Sequence, residues 1–582
     1  MLLGILLAGS FSCAQDEPGR SIGKVSTKGN LIVLELDDDT LGASNLFDLQ
    51  NRTLRFMPAG SRYRVQTSAL QWDSDFGTAL DGAEVTLHNF AFPFSGKQWN
   101  SFRVGLTGSI RFGTAEKDTA LDPYGHPDSG VILQRFDQLS NASETLRDRA
   151  PAICVFLKPR LYGARYVKEL PDRVLITWDL TEPFGGLLDF SWFRTVNQFQ
   201  AVLYRSGRIE FSYKQLNARD AIIGLYPVMS AGEKLASVHF SSLTRDGGTY
   251  TAVYESFHYR ASPRPQDLSC TVIQTLGDRF DLLAYYSDFR VDSQEASPPS
   301  DGPIGGGVTG IGDTQHEQTP EILRSRCTQG RFQMGYGSPV WVGANEMQAA
   351  PPQGAPAGGP HDLAFYNETL AEGSADRKPI PYNYAVGHLG HEFGHRWSAY
   401  ARAKLGGKIT PLGPWPHWDR GLETRVAYPY SLPIEASTLG GGAWQDNYDG
   451  TYTQLRDGYF VPASGYSYLD LYLMGFISAA EVPDFFLLTN LVPAGKDTNA
   501  RAIFRADRTK LTIQDVIAAE GQRSPDVNHS QRQFNTGIVV VVEHGKTPTT
   551  ELLERAEGIR QGWVNYWATA TGHRAAMTTN QR

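Results

Sequence analysis

From about Asn30 to Tyr259 apolar and polar residues alternate in short runs broken by turn residues, the pattern of strands that bury one face. The clearest unit is Phe199-Gln-Ala-Val-Leu-Tyr204 and Ile209-Glu-Phe-Ser-Tyr213 flanking Arg205-Ser-Gly-Arg208. Ser206-Gly207 supplies what a tight hairpin turn needs. Arg173–Asp179 reads as another strand, and Asp179 as a strand-end residue rather than a catalyst. These runs predict an all-β sandwich over residues 28–262. Around Ala261–Gln266 the rhythm breaks, which places a domain boundary there. Arg279–Phe289 then reads as a buried strand of a second domain, 265–582. Two loops rich in Pro and Gly follow, Ser297–Gly312 and Pro351–Pro360, and loops of that length tend to be functional or mobile. A helix is predicted from about Asn383 to Lys404. Another starts at Thr547-Pro548, carries the apolar stripe Leu552, Ala556, Ile559, Trp563 and Trp567, and stops near Gly572. The fold class expected is multidomain: an all-β sandwich followed by an α+β domain with a helical C-terminal part.

Bulk properties narrow the partners. The 582 residues are too many for one core, and 41% apolar with 20% charged is ordinary for a globular chain. A net charge of -8 without a basic run excludes a non-specific nucleic-acid binder. Beyond the N-terminus no apolar segment is long enough to span a bilayer. Residues 1–14 differ: the run Met1–Ala8 followed by Ser12-Cys13-Ala14 reads as the end of a secretory signal peptide cleaved near Ala14. Whether Cys13 is removed or lipidated stays open, although Ser10-Phe11-Ser12 makes a poor lipobox. A secreted or cell-surface location follows as the expectation. Four cysteines are too few for a disulfide scaffold. Cys270 and Cys327 could pair in an exported protein, while Cys154, inside an apolar run, is expected to be a buried thiol.

The candidate chemistry sits in His391-Glu392-Phe393-Gly394-His395. Helical residues four apart share a face, so His391 and His395 can direct two imidazoles at one metal ion. Glu392, turned about 100° around the axis, is placed to act as general base without filling a ligand position. Zinc is the metal such a site takes, because it polarises a carbonyl and activates water. Val386, Leu389, Phe393 and Trp397 supply an apolar face, and Gly390 and Gly394 suggest close approach of another element or of substrate. The short spacing to a third histidine is absent, since Ala401 stands there. Candidates for the third ligand are His417, favoured for its rigid Trp/Pro surroundings, then Asp470 and Glu435. His388 is read as a neighbour of the site or a surface residue.

Two resemblances add to this. Phe92-Pro-Phe-Ser-Gly-Lys-Gln-Trp99, Val104–Gly113, Ile176–Asp179 and Phe199–Tyr213 are similar to the signature segments of nidogen-like β-sandwich modules, over roughly 150 residues. Such modules bind or space, which implies a cell-surface or matrix ligand and no catalytic residue. The second half resembles a group of largely uncharacterised secreted bacterial zinc metallopeptidases. The likeness rests on His391–Trp397, His417-Trp418, Ser437–Gly441, Tyr466–Gly475, Asp515–Pro525 and Ala570–Arg574, and covers about 300 residues. That order also looks like the leishmanolysin variant of the metzincins, in which a displaced third histidine is followed by a Met-turn. The resemblance implies a zincin domain with His391, His395 and His417 on zinc. Leu439 stands where the Met is expected; if Met474 were the turn residue, Asp470 would gain weight as a neighbour of the metal.

Other segments fall short. Gly305–Gly312 lacks the Lys-Ser/Thr and the strand–helix frame of a phosphate loop. Asp446-Asn-Tyr-Asp-Gly450 has calcium-loop composition without EF-hand spacing, so a plain hairpin turn is the commoner reading and Ca2+ only an unsupported candidate. The function expected is hydrolysis of extracellular protein or peptide substrates by a zinc endopeptidase. The alternative is a non-catalytic adhesin or binding protein with a zinc-stabilised or inactive zincin domain. A carbohydrate-acting enzyme would need two carboxylates opposed across a cleft, and nothing in the sequence points to such a pair.

Overall fold

A computed structural model describes residues 20–113, 151–158, 161–181, 196–229, 233–243, 248–260, 263, 265–287, 289, 308–312, 334–335, 340–341, 383–413, 417–428, 435–457, 465–499 and 501–580. Residues 1–14, read above as a signal peptide, together with Cys327, the loop 351–360 and most of the loop 297–312, lie outside these residues.

Strands dominate, arranged in several sheets. Two of the sheets enclose the first core. The larger has eight strands, among them Arg52–Ala59, Ile209–Leu216, Asn197–Tyr204 and Arg173–Thr181 as consecutive antiparallel neighbours. The other has seven, with Ala152–Leu157 and Ala221–Tyr226 at its centre. Alternation does the work here. Val174, Ile176, Trp178 and Leu180 point into the same apolar cluster as Phe199, Phe211, Val155 and Phe257 from both sheets. The predicted hairpin is present, pairing Leu203 with Ile209 around Gly207 at φ 83°. Phe92–Phe94 and Lys97–Trp99 form a small hairpin of their own, turning at Ser95 and Gly96, both with positive φ. Cys154 is a buried free thiol on the outer side of this sandwich, and burial pushes it up to about 12.

The boundary at residue 28 needs correction. Gly23–Lys28 and Leu31–Leu36 pair with each other, and Leu31–Leu36 then runs parallel to Gln533–Val542, with Ile32 opposite Val539. Leu282–Ser287 flanks Gln533–Val542 on its other side, also parallel. The N-terminal hairpin therefore belongs to the sheet of the second unit, and the sandwich is inserted between that hairpin and the helix Pro265–Leu276. The reason is legible in the side chains: Leu31, Ile32, Val33, Leu34 and Leu36 are all buried, as a strand covered on both faces requires. The Ile22 amide donates to Thr271 Oγ1 (3.0 Å) and ties the hairpin to that helix. An Arg260–Glu543 ion pair joins the end of the sandwich to the same sheet. Cys270, on the helix, is disulfide-bonded.

The second unit is less helical at its C-terminal end than expected. A closed five-stranded barrel is built from Trp418–Glu423, Gly440–Asp446, Thr451–Asp457, Ala502–Leu511 and Phe485–Lys496. Asp446–Gly450 is the hairpin turn of that barrel. The histidine helix spans Asn383–Gly394 and stops ten residues short of Lys404. Ala399 at φ 73° turns the chain into the strand Arg402–Leu405. The C-terminal helix spans Thr550–Ala570, and Thr549 rather than Thr547 caps it, accepting from the Leu552 amide. Its buried stripe is the expected one, Leu552, Ala556, Ile559, Trp563 and Trp567. Among the described residues no helix is long and apolar enough to cross a membrane.

Candidate metal centre

The histidine helix lies against the C-terminal helix. Phe393 meets Trp567 at 5.1 Å and Trp563 at 6.0 Å between ring centroids. A Cβ on Gly390 would stand 2.4 Å from the Tyr566 ring, and one on Gly394 would meet Tyr466 at 3.0 Å and Leu439 at 3.1 Å. Both glycines are thus explained by neighbouring protein. Packing on this side holds the opposite face of the helix, with His391 and His395, toward the chain segments that follow.

Three histidines converge there. His395 Nε2 and His417 Nε2 each lie 3.1 Å from His391 Nε2. One ligand atom from each falls within 4.8 Å of the others. His391 Nδ1 donates to the Thr438 carbonyl (2.5 Å), which leaves Nε2 as the ring's free lone pair. Burial lowers His391 to about 4 against the opposing pull of Thr438. Burial also lowers His417 to about 3, reinforced by His391. It holds His395 well below the usual range, where His391 and His417 add to the effect. All three are neutral at neutral pH, the form in which imidazole binds metal. Nitrogen ligands at about 2.0–2.1 Å from a tetrahedral zinc ion lie a little over 3 Å apart, so the type and number of donors and the two 3.1 Å separations suit that ion.

Glu392 is 2% exposed. Burial raises its carboxyl well above the ordinary range, and Oε2 is buried without a hydrogen-bond partner among the described residues. An orphaned buried carboxyl oxygen costs free energy, which marks Glu392 as a candidate functional group. It is not one of the converging ligand atoms.

The other two ligand candidates are not part of the cluster. Asp470 is fully buried, and both its oxygens are occupied: Oδ1 accepts from Trp418 Nε1, and Oδ2 from Ser437 Oγ and from the amide and hydroxyl of Ser467. Glu435 is fully buried in the chain segment leading to Thr438. Leu439 packs against Gly394, while Met474 caps the short helix Tyr468–Leu473. Sequence reasoning overlooked Thr438, Ser437 and Trp418 as supports of the centre. A signal existed for Asp470: Ser467-x-x-Asp470 is a capping box, which already claims the carboxylate. The side chain of His388 lies outside the described residues.

Compared with protein-family models, curated proteins and solved structures, the chain matches none.

Proposed function

We propose that the chain is an exported zinc-dependent endopeptidase of the zincin kind. His391, His395 and His417 would hold the ion, Glu392 would serve as general base and then acid, and the hairpin 23–36 with residues 265–580 would form the α+β catalytic unit. The observation that carries this reading is the convergence of three neutral imidazoles, with Glu392, next in sequence to His391, buried and its Oε2 without a hydrogen-bond partner among the described residues. Zinc, when bound, supplies Lewis acidity toward a scissile carbonyl and brings the pKa of water near neutrality. The chain's own part is to position and to move a proton. Thr438 fixes the His391 tautomer, and Glu392 Oε2 accepts a proton and returns it to the leaving amine. The disulfide at Cys270 supports export, because such bonds persist in oxidising compartments. The sandwich would engage a surface or matrix ligand near the substrate.

Glu392→Gln tests the role directly in the full-length protein. Zinc is expected to stay at about one per chain, while hydrolysis of a quenched peptide library falls to background. Turnover retained by the variant refutes the assignment. Leu439 in the Met position favours a second reading, a binding protein with a zinc-stabilised domain. Full zinc with no hydrolysis by the unaltered chain would select it.

A further inference from the structure

Asp470 stands outside the histidine cluster, yet it is bonded to the two segments that aim the cluster. Its Oδ1 accepts from the indole of Trp418 at 2.8 Å, next in sequence to His417. Its Oδ2 accepts from Ser437 Oγ at 2.7 Å, next to Thr438. Ser437 Oγ in turn accepts from the Leu439 amide (3.0 Å), and the Trp418 amide donates to the Leu439 carbonyl (3.0 Å). Thr438, held between these bonds, carries the carbonyl that receives His391 Nδ1–H.

We propose that Asp470 is the positioning residue of the metal centre, setting His417 through Trp418 and His391 through Ser437 and Thr438. The proposal rests on the zinc reading above. Four donors converge on Asp470, and two of them, the Trp418 indole on Oδ1 and the Ser467 amide on Oδ2, can only donate, so a fully buried carboxylate satisfies both where an amide would present hydrogens to one of them. Outer bonds of this kind orient ligands, and their removal typically costs about 10–100-fold in metal affinity.

The ordinary role for this side chain is to cap the helix Tyr468–Leu473 together with Ser467. The two roles use different bonds and can be separated. Trp418→Phe cuts the Asp470 link to the His417 segment, and Ser437→Ala cuts the link to the Thr438 segment together with the acceptor of the Leu439 amide, whereas Ser467→Ala cuts the cap. Zinc affinity of the full-length variants is read by competition with a chromophoric chelator, and ligand geometry by the visible absorption of the cobalt-substituted protein. Circular dichroism reports folding. Trp418→Phe and Ser437→Ala are expected to bind zinc about 10–100-fold more weakly and to shift the cobalt bands. Ser467→Ala is expected to lower thermal stability with affinity and bands intact. Unchanged affinity and bands in the first two variants, or an equal loss in the third, overturn the proposal. Absence of tight zinc from the unaltered chain refutes the metal reading itself, a result distinct from either.

Discussion

Replacing Gly390 by alanine sets two opposing effects against each other in the histidine helix. Alanine is the better helix former, by about 1 kcal/mol at an interior position. The new methyl, however, would stand 2.4 Å from Tyr566 Cε1 and 2.6 Å from Cζ and Oη, about 1 Å inside normal contact. Tyr566 has nowhere to retreat: it is 1% exposed, stacked on Trp563 at 5.8 Å and flanked by Tyr466 at 6.5 Å. The helix is pinned from another direction too, since Tyr466 Oη donates to the Gly390 carbonyl at 2.7 Å. Overpacking of a rigid core costs roughly 1–3 kcal/mol, and three overlapping atoms on an immobile ring put this case at the upper end. The balance is a net destabilisation of about 2 kcal/mol. Chemical denaturation, followed through the tryptophans of the second core, should show the midpoint falling. Tyr566→Ala in the same chain should recover part of the loss, giving a coupling that single substitutions cannot supply. A Gly390→Ala protein more stable than its parent would show that the two helices do not approach this closely.

The remaining expectations concern separate parts of the molecule. Trp567→Ala empties the centre of an aromatic cluster that includes Phe393, Phe476, Phe534 and Trp563, at a cost of about 3–5 kcal/mol. Zinc retention should fall with it, because Phe393 lies between the two helix ligands; a lowered unfolding midpoint with full zinc would separate the cluster from the site. Cys154, buried and raised to about 12, should resist iodoacetamide in the native protein and react on denaturation, as read by peptide mass spectrometry. Lys168 bonds Asp73 and Asp75 and lowers both carboxyl pKa values, so the stability they contribute is present above the ordinary carboxylate range and lost as pH falls through the lowered values. Lys168→Met should flatten that acid limb by a small amount, since the carboxylates are exposed; an unchanged acid limb would show that the ion pairs contribute nothing.

How much of this was legible depended on distance along the chain. His391 and His395 declare themselves through one helical turn, and His417 through its rigid surroundings, because each signal is local. The sandwich was readable from alternation, since one face of each strand meets the core. The placement of Leu31–Leu36 was not, for its partner lies about 500 residues away and loop closure over that span leaves no trace in local pattern. A clue was present even so: Leu31-Ile-Val-Leu34 is continuously apolar, the mark of a strand buried on both faces rather than of a sandwich strand. The end of the histidine helix at Gly394 was hidden for another reason. Residues 395–405 keep an apolar rhythm that a helix could use, and only the turn at Ala399 and the pairing of Arg402–Leu405 with Lys408–Pro411 reveal the strand. Asp470 was weighed as a ligand because two of its donor residues, Trp418 and Ser437, come from segments that sequence does not bring together.

The parallel pairing of Leu31–Leu36 with Gln533–Val542 also bears on the order in which the molecule can be assembled. On the ribosome the hairpin emerges long before its partner strand, and the whole sandwich is synthesised in between. The sandwich, whose contacts close within its own span, is free to fold during translation. The free edge of Leu31–Leu36 must instead wait until residue 542 has been made, an apolar strand edge that invites capture by a chaperone. Closing that sheet is then among the last events, and it draws segments from both ends of the chain into one core. A product truncated at either end would keep its sandwich and lack the finished sheet behind the histidine cluster.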